Sequence, residues 1–125
     1  MTLNELRDEI FANAEKHGFH KNKNFGESLM LVVSELSEAL EADRNGKWRR
    51  TDCTGVGCDK CPGCNGPLPP KDFERLFKGT VEEEIADAII RLFDIAGVWE
   101  INLDWWIKSK MAYNETRPYK HGKKY

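Results

Sequence analysis

The chain of 125 residues lacks any long hydrophobic run, and this absence disfavours an integral membrane protein. A membrane-spanning helix needs roughly 20 consecutive apolar residues, and no segment of the sequence approaches that length. The first residues, MTLNELRDEIFANAEKHG, are polar and amphipathic and do not form a charged tip followed by an apolar signal core. We therefore expect a cytoplasmic protein without a membrane partner.

Apolar residues are scarce, and there is no excess of positive charge. Hydrophobic residues make up 40% of the chain and charged residues 32%, whereas typical soluble domains contain about 45–50% and about 25%. The formal net charge is −2, which makes nucleic acid an unlikely partner because proteins that bind it usually carry a clear basic excess. At this length we expect a single domain over residues 1–125.

Cysteine is absent outside one twelve-residue window, which disfavours a secreted fold stapled by disulfides. The window has the spacing C-x4-C-x2-C-x2-C and contains Cys53, Cys58, Cys61 and Cys64. Four thiolates on a short glycine-rich segment could hold one tetrahedral Zn²⁺. An iron–sulfur cluster, whose usual spacing differs, and a loop of reduced thiols without a ligand are the alternatives.

Segments of alternating strand character are missing, and the apolar periodicity predicts an all-α bundle. Helices are predicted over residues 3–16, about 26–44, about 80–99, and from the turn at 101–104 to about 115. The segment 45–79 holds four of the five prolines and six of the ten glycines, so it is predicted to be a loop insertion with one helical turn at 72–77. The predicted core faces are Leu29, Val32, Val33, Leu36, Ala39 and Leu40 in one helix, and Val81, Ile85, Ala88, Ile89, Leu92 and Ala96 in the other.

Two of the predicted helices each carry an acidic pair at three-residue spacing beside the apolar face. The pairs are Glu35 with Glu38 and Glu84 with Asp87. Because residues three apart share a helical face, four carboxylates can converge when the helices pack. Carboxylates without basic partners suit Mg²⁺ or Mn²⁺, whereas a di-iron site would need Glu-x-x-His, which does not occur. The alternative for each pair is an ordinary solvated face.

The C-terminal segment has the opposite charge. Residues 106–125 contain six Lys or Arg residues and one Glu, whereas residues 27–43 contain five acidic residues and no basic one. Lys110, Asn114 and Arg117 follow i, i+4, i+7 spacing and share one helical face. Carboxylates that hold a metal and cations that neutralise phosphates are together what a nucleoside triphosphate requires. A solvated tail that favours the helix dipole is the alternative.

The chain resembles the MazG-like all-α nucleotide pyrophosphohydrolases, in particular single-domain, phage-associated members. The resemblance covers residues 26–44 and 80–124 and lies in the two acidic pairs, in EEEIADAIIRLFDIAG, and in K-x-x-x-N-x-x-R-P from Lys110 to Pro118. It implies a four-helix fold, a homodimer or homotetramer, and Mg²⁺-dependent hydrolysis of nucleoside triphosphates, often deoxy forms, to the monophosphate and pyrophosphate.

Carried over by position, the resemblance makes Glu35, Glu38, Glu84 and Asp87 the metal ligands and places Lys110, Asn114 and Arg117 near the phosphates and sugar. We expect Glu35 or Glu38 to act as general base on the attacking water. The cysteine segment departs from the family pattern.

Two other functions remain open at this point. One is a non-enzymatic metal-binding adaptor that uses the cysteine segment. The other is a nucleic-acid-binding protein that combines residues 47–50, KWRR, with the basic tail. A homodimer is also expected because Ile90 and Phe93 lie off the main apolar stripe of their helix.

Overall fold

A computed structural model describes residues 1–22, 24–49 and 68–125 of the chain. These residues are all-α, as predicted, and contain no strand. None of the helices in these ranges is long and apolar enough to cross a membrane. The elements are α1 (Leu3–Lys16), α2 (Phe25–Arg44), α3 (Pro70–Phe77), α4 (Val81–Val98), α5 (Leu103–Glu115) and a short 3₁₀ segment, Tyr119–Gly122.

The ends of the helices follow local capping chemistry. The Thr2 hydroxyl accepts from the backbone N–H of Glu5 at 3.0 Å, and Asn24 caps α2 through the N–H of Glu27 at 2.9 Å. Helix α3 is longer than the single predicted turn, since Pro70 fits the first position of a helix. Helix α5 starts inside the predicted turn because the Asn102 side chain accepts from the N–H of Trp105 at 3.1 Å.

The chain divides into two compact units, which we call the central unit (residues 24–91) and the terminal unit (residues 1–23 and 92–125). Helix α4 runs through the boundary, so its first eleven residues belong to the central unit and its last seven to the terminal unit.

The central unit buries only part of the predicted core face of α2, with Val32 and Ala39 as predicted but without Leu36 and Leu40. Val32, Ala39 and Ala42 are buried together with Glu35, whereas Leu36 is 48% exposed and Leu40 is 51% exposed. In the same way α4 buries Val81 and Ala88, while the predicted core residues Ile85 and Ile89 are 42% and 47% exposed. The predicted core faces were therefore wrong in part, because periodicity locates the apolar surface of a helix without showing which part of it the chain itself covers.

In the terminal unit, the N-termini of α1 and α5 cap each other. The Asn4 side chain donates to Asn102 Oδ1 and accepts from the N–H of Leu103, both at 2.9 Å. The Asp104 carboxylate accepts from the N–H groups of Asn4 at 3.1 Å and Leu3 at 3.2 Å. These backbone hydrogen bonds, that of Asn4 first, hold the pKa of Asp104 below its ordinary value.

A close approach between α1 and the end of α4 depends on glycine. A Cβ atom placed on Gly97 would lie 2.8 Å from the Cβ of Phe11. His20 packs against the same phenylalanine, and its ring stacks on Phe11 with 4.5 Å between ring centroids. The His20 ring also bonds two carboxylates, at Asp94 through Nε2 at 2.7 Å and at Glu15 through Nδ1.

Candidate metal centre

The central unit brings three of the four predicted metal ligands together. Glu35 and Glu38 of α2 and Glu84 of α4 each offer one carboxylate oxygen, and the three oxygens lie within 4.8 Å of one another. Glu35 is buried, Glu84 is half-buried and Glu38 is exposed, so the cluster opens toward solvent on the side of Glu38. We call these residues the glutamate triad, and it could hold a metal ion.

Asp87, the fourth predicted ligand, does not belong to this group of oxygens. It is half-buried and lies one turn after Glu84 in α4. Burial, followed by the negative charges of Glu35 and Glu83, raises the pKa of Asp87 above its ordinary value. The Asp87 carboxylate is therefore within electrostatic reach of the triad without being one of its members.

The start of α4 explains why Glu84, among three consecutive glutamates, reaches the triad. Glu83 caps the helix: its buried carboxylate accepts from the N–H of Gly79 and from Lys78 Nζ at 3.2 Å, and its own N–H donates to the Thr80 hydroxyl at 3.3 Å. Glu82 accepts from the N–H of Arg49 at 3.0 Å. With its two neighbours so engaged, Glu84 is the member of the run that faces α2.

One backbone contact fixes where α4 begins relative to the end of α2. The N–H of Val81, the first residue of α4, donates to the carbonyl oxygen of Lys47 at 2.9 Å. Lys47 in turn donates its own N–H to the carbonyl oxygen of Ala42 in the last turn of α2, at 2.8 Å. Lys47, which lies three residues after the end of α2, thus links the last turn of α2 to the first residue of α4.

Among the described residues, one arginine contacts the triad. Arg91 Nε donates to Glu35 Oε1 at 2.5 Å. Asp94, which lies one turn after Arg91 in α4, bonds His20 in the terminal unit instead. Arg91 thus provides one positive charge beside three carboxylates.

The pKa values within the triad diverge. Burial raises the pKa of Glu35, but the hydrogen bonds from Arg91 and then Glu38 outweigh it, so the pKa lies below its ordinary value. Burial, the hydrogen bond to Glu38 and the nearby charges of Glu38, Glu83 and Asp87 raise the pKa of Glu84 to about 7. The cluster therefore holds more negative charge than Arg91 neutralises, and Glu84 is only partly ionised near neutral pH.

The predicted phosphate and sugar ligands Lys110, Asn114 and Arg117 lie in the terminal unit, on α5 and just after it. Asn114 Oδ1 is buried and is the one side-chain polar atom of the described ranges that is buried without a hydrogen-bond partner. The sequence reasoning missed Tyr113, whose ring lies beside both cations, with Lys110 Nζ 4.7 Å and Arg117 Cζ 5.4 Å from its centroid. Its position, three residues after Lys110 and four before Arg117, was the available signal.

The four cysteines and Arg50 lie outside the described residues, so the zinc site predicted for the cysteine segment stays a prediction. Comparisons with models of known protein families, with curated proteins and with solved structures found no match.

Proposed function

We propose that the protein is a Mg²⁺-dependent nucleoside triphosphate pyrophosphohydrolase that converts its substrate, a deoxynucleoside triphosphate by preference, to the monophosphate and pyrophosphate. The observation that carries the proposal is the glutamate triad, in which three carboxylate oxygens from two helices lie within 4.8 Å of one another. The acidic pairs and the C-terminal motif resemble those of MazG-like enzymes, which supports the same activity. The resemblance also implies a four-helix bundle, which we include in the proposal.

The chemistry of the triad fits a small divalent cation. Its donors are hard carboxylate oxygens, the type that Mg²⁺ and Mn²⁺ prefer. The raised pKa of Glu84, about 7, means that the triad lacks positive charge. A divalent cation would compensate for this, and because carboxylates bind metal in their ionised form it would replace the proton. When bound, Mg²⁺ polarises phosphate oxygens and neutralises charge on them.

The burial and contacts of each triad residue favour a different role in the reaction. Glu35 is buried and fixed by Arg91, which suits a permanently ionised ligand. Glu38 is the exposed member, so it is the residue that can reach a water molecule. As general base it takes one proton while the water oxygen forms a bond to the α-phosphorus. The bond from the α-phosphorus to the bridging oxygen then breaks, and pyrophosphate leaves.

Three residues of the terminal unit take part in the proposed function. The resemblance implies that Lys110 and Arg117 bind the phosphates and that Asn114 binds the sugar. The buried acceptor Asn114 Oδ1 supports this role, because a sugar hydroxyl can donate the hydrogen bond that it lacks. Cations on the departing pyrophosphate would stabilise the charge that develops there.

We further propose that the enzyme is a homodimer or homotetramer. In the described ranges no large side chain is fully buried, and many aliphatic side chains of α2 and α4 are 39–62% exposed. They are Leu29, Met30, Leu31, Val33, Leu36, Leu40, Ile85, Ile89, Ile90 and Leu92. Apolar surface on several sides of a helix is typical of a surface covered by a partner. A monomeric mass by light scattering across a range of protein concentrations would contradict this part.

The activity is tested with a panel of ribo- and deoxyribonucleoside triphosphates in Mg²⁺, in which monophosphate and pyrophosphate are both quantified. Glu38→Gln should lower kcat by at least about 100-fold, because the base is lost while the shape of the side chain is kept. Glu41→Gln is the matched control, since Glu41 lies one turn further along α2, is exposed and stands outside the triad.

Circular dichroism should show both variants to be as helical as the wild type. Full turnover in Glu38→Gln would contradict the assignment of the base. Absence of pyrophosphate release from every nucleotide by the wild-type protein would contradict the activity itself and favour the adaptor.

A further inference from the structure

The end of α5 contains an exposed aromatic ring that contacts two cations at once. Lys110 Nζ lies 4.7 Å and Arg117 Cζ 5.4 Å from the centroid of the Tyr113 ring. The ring itself is 55% exposed, so it contributes little to the core of the terminal unit. Both distances are within the range of about 6 Å in which a cation is attracted to an aromatic face.

The backbone around the ring is fixed by the way α5 ends. Thr116 caps the helix, and its hydroxyl donates to the carbonyl oxygen of Tyr113 at 2.7 Å. The N–H of Arg117 donates to the carbonyl oxygen of Asn114 at 3.1 Å. The first residue beyond the helix therefore has a defined position, and the Arg117 side chain can return to the Tyr113 ring.

The positive charges of Lys110 and Arg117 are not neutralised within the described part of the chain. Among the described residues, neither Lys110 nor Arg117 forms an ion pair with a carboxylate, whereas Arg7, Lys78 and Arg91 each do. An aromatic ring restrains a cation without neutralising it, so both positive charges stay available to a ligand. Two cations that contact the same ring are suited to an anion with several phosphate groups in a chain.

We propose that Tyr113 is a positioning residue, whose ring holds Lys110 and Arg117 together as a paired site for a polyphosphate chain. This deepens the proposed function and rests on it for the identity of the natural ligand, a nucleoside triphosphate. By restricting the two long side chains before binding, the ring lowers the entropy lost when they close on the anion. Tyr113 acts through the cations and makes no contact with the reacting atoms.

The direct test is binding of inorganic tripolyphosphate to the full chain in EDTA, measured by calorimetry at low salt. Tyr113→Leu should weaken binding about fivefold, because two freed side chains must then be ordered when the anion binds. Tyr113→Phe keeps an aromatic face and should bind within about twofold of the wild type. Tyr119→Leu is the matched control, because Tyr119 is also beside a lysine in the tail but its ring is 89% exposed and contacts Lys120 alone.

The inference is overturned if Tyr113→Leu binds tripolyphosphate as tightly as the wild type or as Tyr119→Leu. It is also overturned if Tyr113→Phe loses as much as Tyr113→Leu, because the hydroxyl would then be responsible. Wild-type protein that binds no more tightly than the double variant Lys110→Met, Arg117→Met would overturn it as well. Circular dichroism of each variant checks that α5 remains folded.

Steady-state kinetics separate this inference from the proposed function. With an accepted nucleotide, Tyr113→Leu should raise KM about fivefold and leave kcat within about twofold, because ground-state phosphate binding is what the ring supports. Wild-type protein that binds tripolyphosphate with the expected order of variants but hydrolyses no nucleotide would contradict the proposed function and keep the paired site. If the wild type hydrolyses nucleotides but Tyr113→Leu has an unchanged KM, the proposed function is kept and the role of Tyr113 is contradicted.

Discussion

The central and terminal units treat their acidic side chains in opposite ways. In the terminal unit Asp104 accepts from two backbone N–H groups at the start of α1, and Asp94 and Glu15 share the ring of His20. In the central unit the triad shares one arginine among three carboxylates. The pKa of Asp104 is accordingly lowered, whereas that of Glu84 is raised to about 7.

The net charge of each unit follows the same division. The central unit carries thirteen acidic and nine basic residues, whereas the terminal unit carries eight acidic and ten basic ones. Acidic groups that are fully paired stabilise a fold, and acidic groups that are gathered with too little positive charge reduce its stability until a cation arrives. The paired carboxylates of the terminal unit therefore stabilise the fold, whereas those of the glutamate triad suit a ligand.

Removal of Arg91 should produce the largest change in stability. Arg91→Gln leaves the buried Glu35 carboxylate without its cation and should lower the free energy of unfolding in EDTA by about 2 kcal/mol, less than for a fully buried pair because Arg91 is partly exposed. Mg²⁺ should reduce the difference in free energy of unfolding between Arg91→Gln and the wild type, since a bound cation replaces the missing charge. Urea unfolding with EDTA and with Mg²⁺ measures both effects.

Arg75→Gln is the matched control for Arg91, because Arg75 forms an exposed pair with Asp72 at 3.3 Å in the same unit. Its effect should stay within about 0.5 kcal/mol and should not depend on Mg²⁺. A deficit in Arg91→Gln that is the same with and without Mg²⁺ would show that no cation binds beside Glu35.

A methyl group at Gly97 should destabilise the terminal unit. In Gly97→Ala the new Cβ would lie 2.8 Å from Phe11 Cβ, so α1 or α4 must shift. The strain should exceed the gain of about 1 kcal/mol that alanine brings to a helix, for a net loss of about 1–2 kcal/mol. Urea unfolding measures it against Gly26→Ala in the central unit, where the new Cβ meets its nearest atom at 3.5 Å. We expect Gly26→Ala to be neutral or stabilising, and equal effects of the two substitutions would contradict the close approach.

The pairing of His20 should make stability depend on pH in the terminal unit. Burial lowers the pKa of His20, but the hydrogen bonds with Asp94 and Glu15 outweigh it, so the pKa lies above 6.5. A raised pKa in the folded state means that His20 contributes its full stability below pH 6.5 and loses it as the pH rises through the folded-state pKa. The wild type should exceed His20→Gln by about 1–2 kcal/mol at about pH 5.5 and by less at about pH 8.

His17→Gln serves as the control for His20, because His17 is exposed and its ring contacts only the carbonyl oxygen of Asn13. This variant should follow the wild-type dependence on pH. If the difference in free energy of unfolding between wild type and His20→Gln stays constant with pH, the His20 ring is not protonated where it contacts Asp94 and Glu15.

Helix existence and most helix ends could be predicted from the sequence, because they depend on neighbours within one turn. Thr2 with Glu5, and Asn45 followed by Gly46, mark helix ends by chemistry that acts over two to four residues. The spacing of Glu35 with Glu38 is likewise local. The start of α5 was predicted too late although its cap is local, since the Asn102 side chain accepts from the N–H of Trp105; only its further bond with Asn4, 98 residues away in the chain, is long-range.

The buried positions could be predicted only in part. Periodicity placed Val32 and Ala39 in the core, and both are buried. It also favoured Leu36 and Leu40, which are exposed, and it did not identify Ala42 or the charged Glu35, which the structure buries. A carboxylate is tolerated there because Arg91, 56 residues later, supplies a donor and a charge. No local pattern identifies that partner.

The sequence by itself thus determined the helices, the two acidic pairs and the separation of acidic from basic segments, since each is a property of residues within a few positions of one another. The tertiary structure alone decided that Glu38 and Glu84 meet beside Glu35 while Asp87 stays outside the group, and that Asp94 pairs with His20. It also decided that the Tyr113 ring contacts both Lys110 and Arg117. The reason is physical: spacing fixes the helical face on which a side chain lies, whereas its protonation and its ability to bind a ligand depend on charges and donors brought to it by the rest of the fold.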